Sequence, residues 1–293
     1  MAVLVDTPRW PAHGTLWAHL VSDTDLAELH AFAARCGLPR RAFDLDHYDV
    51  PAERHAEVVA AGAQPVEGHE LIRRLRASGL RVRAADRPLR TALALRWADL
   101  LPAHPELGED LTARWSEPHR VYHGPGHLRE VLDRLDLLAH RGEPVTGTVR
   151  LAAWFHDAVH DGETPADEEA SAGLAGAFLG PVLGTAGAAE VARLVRLTAA
   201  HDPAPGDVAG HLLCDADLGV LGGEPEQYRT YTEQVRAEYA HVPEEDFRRG
   251  RAAVLRRLLD RPRIYRTATA VELWEDLARA NLAAELGVLE SAG

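Results

Sequence analysis

Ala153-Trp154-Phe155-His156-Asp157-Ala158-Val159-His160-Asp161-Gly162 ends an apolar run in two His-Asp pairs, with His156 and His160 four residues apart. If the run is helical throughout, the two imidazoles share one face, about one turn apart. Asp157 lies directly beside His156. Neutral imidazole nitrogens and a carboxylate together make a good donor set for Zn, Mn, Fe, Co or Ni. Burying so many polar groups at the end of a core helix is costly unless something pairs with them, and a metal ion would do so. The alternative is a histidine-rich turn at the surface, since helix-spaced pairs also arise without metal.

Outward from this stretch the pattern is helical in both directions. From about residue 90 onward, helical periodicity is expected over 89–101, 107–116, 126–141, 145–161, 165–180, 186–201, 208–221, 225–240, 243–260 and 269–287. Thr164-Pro165 with Asp167, and Glu224-Pro225, read as helix starts. Gly142-Glu143-Pro144 and Asp202-Pro203-Ala204-Pro205-Gly206 read as joints. Residues 1–85 differ. Val3-Leu4-Val5 and Trp17-Ala18-His19-Leu20-Val21 read as strands, and Phe43 to Tyr48 as another. Helices are expected after a Ser22 N-cap up to Gly37, from Pro51 to about Gly62, and within Val66 to Leu80. The fold expectation is therefore an α+β two-domain chain: a small N-terminal α/β domain over 1–85, then an all-α domain over 90–293.

Composition narrows the function. Hydrophobic content of 46% and charged content of 26% over 293 residues are ordinary for a soluble globular protein. No apolar run reaches about 18 residues and the N-terminus lacks a basic region, so neither a membrane span nor a signal peptide is expected, and a cytoplasmic location is. Cys36 and Cys214 read as reduced thiols. The net charge of −13 argues against coating nucleic acid. Small phosphate-containing anions stay open as partners, because local arginines can gather a phosphate. The chain has no lysine, so all 32 basic residues are arginine. That removes P-loop, Schiff-base and kinase-type lysine chemistry.

Three further clusters can meet the opening stretch in space. Arg120-Val121-Tyr122-His123-Gly124-Pro125-Gly126-His127 precedes a helix, and Gly124-Pro125-Gly126 breaks any helix between its two histidines. Thr198-Ala199-Ala200-His201-Asp202 closes an apolar helix. Leu212-Leu213-Cys214-Asp215-Ala216-Asp217-Leu218 carries two carboxylates inside an apolar run, so Asp217 or Asp215 is a candidate buried ligand.

The order His127, then His156-Asp157, then an Asp in an Ala-Asp-Leu context resembles the HD superfamily of metal-dependent phosphohydrolases. The Tyr122-His123-x-x-x-His127 spelling resembles its cyclic-nucleotide phosphodiesterase branch. From about residue 110 to 287 the chain is similar to a bacterial group of metal-dependent HD phosphohydrolases without a settled substrate. That similarity includes Tyr228-x-x-Tyr231, Arg236-x-Glu238-Tyr239, Phe247-Arg248-x-Gly250-Arg251 and Ala278-Arg279-x-Asn281-Leu282. The resemblance implies that His127, His156, Asp157 and Asp217 hold one divalent metal, whether Mn, Co, Ni, Mg, Zn or Fe. Asp217 is preferred over Asp215 because the family's last ligand follows an alanine and precedes an aliphatic residue. His123 would be the acid that protonates the leaving oxygen, and His160 a residue that orients the attacking water. Arg120, three residues before His123, is either a phosphate contact or a surface salt bridge. Asp161, His201 and Asp215 are available for a second metal.

The resemblance further implies hydrolysis of a phosphate ester or anhydride of a nucleotide-like small molecule. Two other readings are a metal- and nucleotide-binding sensor with little turnover, and an HD-type di-iron oxygenase that would use His201. At the other end, Val5-Asp6-x-Pro8-Arg9-Trp10, Trp17-x-His19-Leu20-Val21-Ser22-Asp23 and Phe43-x-x-Asp46-His47-Tyr48-Asp49 resemble a bacterial domain family of unknown function. Asp6, His19, Asp23 and His47 either gather into a polar pocket near strand ends or serve the fold alone.

Overall fold

The computed structural model describes residues 2–12, 15–82 and 87–291. It divides into two compact units, one up to Leu95 and one from Arg96. The division falls inside a single helix, α4 (Arg87–Leu100). The joint expected between 85 and 90 lies partly on residues 83–86, outside the described residues.

The N-terminal unit is a sheet with helices. Its strands are β1 (Val3–Val5), β2 (Trp10–Ala12), β3 (Thr15–Ser22), β4 (Phe43–Asp44), β5 (His47–Pro51) and β6 (Gln64–Pro65). They run in the order β4-β5-β3-β1-β6, with β2 paired to the start of β3. β1 is antiparallel to β3 and parallel to β6, and β3 is antiparallel to β5. Strand alternation sorts the side chains onto two faces. Val3, Val5, Ala18 and Leu20 pack with Leu29 and Phe32 of α1 (Leu26–Arg35) and Val58 of α2 (Ala52–Ala60). Leu4 and Val21 face the other way and meet Leu71 and Leu75 of α3 (Gly68–Ala77).

Two local expectations need correction. The N-cap of α1 is Asp25, whose carboxylate accepts from Glu28 N–H at 2.7 Å. Ser22 ends β3 instead, and its hydroxyl accepts from the Thr24 and Asp25 amides. The stretch from Phe43 to Tyr48 is a hairpin, not one strand: it turns at Leu45, whose φ is 62°. The helix stop at Gly37 stands, with a positive φ of 65°.

The second unit is helical: α5 (Pro105–Trp115), α6 (Pro125–His140), α7 (Gly147–Phe155), α8 (Ala166–Leu197), α9 (Val208–Leu218), α10 (Pro225–Glu238), α11 (Glu244–Leu259) and α12 (Ala268–Ser291). α7 is its axis. Val149 and Leu151 through Phe155 are all buried, as expected of a helix apolar on every side. Thr146 caps it, accepting from Val149 N–H. Trp97, Trp115 and Trp154 fill the surrounding core. α8 joins two expected helices and is interrupted at Gly184, where φ 74° and ψ 167° leave helical space. By length and composition α8 is the one described helix apolar enough to cross a membrane. Gly184 interrupts it.

Candidate metal centre

The helix carrying the opening motif ends sooner than its spacing predicts. α7 stops at Phe155, His156 is its C-cap, and the chain turns with Ala158 N–H donating to the Phe155 carbonyl at 3.1 Å. His156 and His160 therefore do not share a helix face. The turn is pinned from behind by Arg120. Its guanidinium donates to the carbonyls of Asp157 (2.5 Å) and Ala158 (3.3 Å) and to Glu117 Oε2 (3.0 Å), and its side chain is wholly buried. Arg120 is thus occupied with backbone and is not placed to meet a phosphate, which corrects that expectation. Asp167 steadies the next loop: its Oδ2 accepts from the amides of Asp161, Gly162 and Glu163 at 2.8–2.9 Å.

Four donor atoms from two helices and the turn converge beneath this frame. His127, in the first turn of α6, places Nε2 3.2 Å from His156 Nε2 and 3.0 Å from Asp217 Oδ1. Asp157 Oδ2 stands 3.3 Å from His156 Nε2 and 3.9 Å from His127 Nε2. Asp217 Oδ1 is 3.6 Å from His156 Nε2. Bonds of about 2.0–2.2 Å to one ion would set neighbouring donors roughly 3–3.5 Å apart. His127, His156 and Asp157 form a group of metal-ligating size, and Asp217 Oδ1 stands against both imidazoles. The tautomer fits as well. His156 Nδ1 donates to the Ala153 carbonyl at 2.8 Å, which leaves Nε2 as the lone-pair nitrogen facing the cluster.

Charge points the same way. Burial opposes ionisation of Asp157 and Asp217, yet the neighbouring His156 holds both carboxyls below their usual range. Burial would lower His156, but the same two carboxylates raise it overall. Burial keeps His127 low despite Asp217. Two anions and two imidazoles around one point are the donor chemistry of a divalent metal.

A second cluster borders the first. His123 Nδ1 meets Glu238 Oε1 at 2.5 Å, and His160 Nε2 meets the same oxygen at 3.3 Å. The two rings pack with centroids 4.2 Å apart, tilted by 34° to one another. Glu238 Oε2 accepts from the consecutive amides of Val121, Tyr122 and His123 at 2.7–3.0 Å, so the carboxylate is seated in a backbone nest. Burial would raise Glu238, but its bonds to His123 and His160 hold it well below the usual range. Burial would lower His123, yet Glu238 and nearby Asp157 raise it. Glu238 had no role in the sequence reading. Its only signal there was the Arg236-x-Glu238-Tyr239 spelling at the end of an otherwise polar helix.

Both clusters open onto a cleft of about 430 Å³. His123, Asp157, His160, His201 and Asp217 line it, together with Tyr239, Arg251 and Arg257. Arg251 is committed to Glu285 and the Tyr231 hydroxyl. Glu168 also reaches the cleft, with Oε1 accepting from Thr164 and Oε2 buried without a hydrogen-bond partner. The residues named for a second metal scatter. His201 Nε2 meets Asp217 Oδ2 at 2.7 Å, a position that orients this carboxylate. Among the described residues no third donor joins His201 in a metal-sized group. Asp215 points the other way and accepts from the Arg266 and Thr267 amides at 2.8 and 2.7 Å, just before α12. Burial pushes its carboxyl up to about 6. Asp161 is exposed and offers the structure only its amide.

Comparison with known proteins reaches the other unit. Residues 3–78 match a family described as a protein of unknown function (DUF4031). The match ends before the helical unit begins. No curated protein and no solved structure matches the chain.

Proposed function

We propose that the helical unit is a cytosolic, metal-dependent phosphohydrolase acting on a small phosphate ester or anhydride of nucleotide-like character. The observation that carries this reading is the convergence of His127, His156 and Asp157 at metal-ligand spacing, with Asp217 against both imidazoles, beside a cleft whose wall presents His123 on Glu238. The ordered H…HD…D resemblance supplies the reaction class, and the nucleotide preference rests on that resemblance alone.

His127, His156, Asp157 and Asp217 would hold the ion. When bound, it would supply Lewis acidity toward phosphoryl oxygens and a nucleophile available near neutral pH. His123 carries the proton side of the reaction. Its Nδ1 is fixed on Glu238, which raises its affinity for a proton and leaves Nε2 to donate to the leaving oxygen. His160 shares Glu238 and keeps His123 in place by packing against its ring, with its own Nδ1 left for water. Arg257 lines the cleft without an ion-pair partner among the described residues, which suits it to meet a substrate phosphate.

The test is phosphate release from an aryl phosphate and a nucleotide panel, with Mn²⁺, Co²⁺, Ni²⁺, Mg²⁺, Zn²⁺ or Fe²⁺ added to metal-free protein. Turnover that needs metal and disappears in Asp157→Ala is expected. Tight nucleotide binding without turnover under every metal would replace the hydrolase with a sensor. Two irons per chain with oxygen-dependent absorption would replace it with an oxygenase.

A further inference from the structure

The N-terminal unit carries its own histidine-carboxylate cluster, on the face of the sheet that also meets α3. His47 and Asp49 are two residues apart on β5, so their side chains leave the same face. Asp49 is the direct cross-strand partner of His19 on β3, which brings His19 to that face too. One donor atom from each of His19, His47 and Asp49 lies within 4.8 Å of the others. His47 Nε2 is 3.5 Å from Asp49 Oδ1, and the two imidazoles sit edge to face with centroids 4.9 Å apart.

The backing of these histidines sets the cluster apart from a chance meeting of polar side chains. His19 Nδ1 meets Asp6 Oδ2 at 3.0 Å, while Asp6 Oδ1 accepts the His19 amide at 2.6 Å. His47 Nδ1 meets Asp46 Oδ1 at 2.6 Å. Asp46 is fully buried, and its other oxygen accepts from Val82 N–H and Arg81 at 2.7 and 3.0 Å. Each imidazole therefore has a carboxylate behind Nδ1 and offers Nε2 forward. A carboxylate behind the non-ligating nitrogen is the usual way a metal-binding histidine is oriented. The Asp49 side chain is 44% exposed, so the front of the cluster is open to solvent and to further ligands.

We infer that His19, His47 and Asp49 form a metal site for one first-row divalent cation, with open positions for water or a small anion. Two imidazoles and one carboxylate suit Zn, Mn, Fe, Co or Ni in preference to Ca²⁺, which takes oxygen donors. Asp6 and Asp46 are positioning residues that fix the tautomers. The expected partner Asp23 is not among them: it accepts the Ala2 amide at 2.7 Å and pairs with Arg74 instead. The rival arrangement is an ion-free network in which a protonated His47 bridges Asp46 and Asp49.

The full chain, freed of metal and titrated with Co²⁺ alone, separates them by equilibrium dialysis and visible absorption. The native chain should bind two Co²⁺ and the Asp157→Ala chain one. Adding Asp49→Ala or His19→Ala to that background should weaken the remaining Co²⁺ at least tenfold. Asp49 is half-exposed, so its variant should keep the native melting profile and tie the loss to ligation. Co²⁺ binding unchanged by Asp49→Ala and His19→Ala, in both backgrounds, overturns the site. Loss in Asp157→Ala reports on the helical cleft alone, so the two sites fail separately.

Discussion

The two histidine-carboxylate clusters of this chain are assembled by opposite rules. On the sheet, His47 and Asp49 share a face because strand side chains alternate, and one antiparallel register adds His19. In the helical unit, His127, His156, Asp157 and Asp217 come from α6, the turn after α7, and α9. No local period brings them together; only the packing of those elements around the buried α7 does. The sheet cluster should therefore depend on register, and the helical cluster on close packing some distance from its own donor atoms.

The largest expected effect breaks the helical cluster directly. Asp157→Ala removes a carboxylate from the four-donor set, so metal-dependent turnover should fall to background while the sheet cluster keeps its Co²⁺. Metal analysis and phosphate release check both halves, and full metal occupancy at the cleft of that variant would rule out Asp157 as a ligand. Next comes His123→Gln, expected to lower kcat by ~10²–10⁴-fold while leaving metal content intact. If metal is lost instead, His123 is a ligand and the role given to it is wrong.

The pH profile sharpens that assignment. A general acid whose pKa is raised in the folded protein works while protonated, so activity should be full below that pKa and fall as pH rises through it. Glu238→Gln removes the anion that raises His123, and the alkaline limb of kcat should move toward lower pH. An unmoved limb would show that another group carries the proton.

The smaller effects test packing against register. An added Cβ at Gly222 would stand 2.4 Å from Trp274 Cβ and 2.8 Å from the Trp274 carbonyl oxygen, so Gly222→Ala should destabilise the helical unit by about 1–3 kcal/mol. Thermal melts should show this shift, and Co²⁺ at the sheet cluster should be unaffected. Asp25→Ala removes the N-cap of α1, on the opposite face of the sheet, and should cost about 1 kcal/mol in the N-terminal unit. Equal shifts in both units for either variant would show that the two clusters do not depend on separate rules of assembly.

Sequence patterning alone decided the class of each unit. Short apolar runs bounded by polar residues marked β1 and β3, and apolar residues at helical spacing marked the elements from α4 onward, because burial in a core imposes those patterns. It also marked Asp217 and Asp215 as anomalies in an apolar run. Which of them faces the cleft was a matter of tertiary structure: Asp217 turns toward His127, while Asp215 accepts the amides that precede α12. Tertiary packing likewise ended α7 at Phe155, moved His160 onto Glu238, and turned Arg120 inward as a brace. Side-chain direction at a helix end depends on what packs against it, and those partners lie tens of residues away in the chain, beyond the reach of any local period.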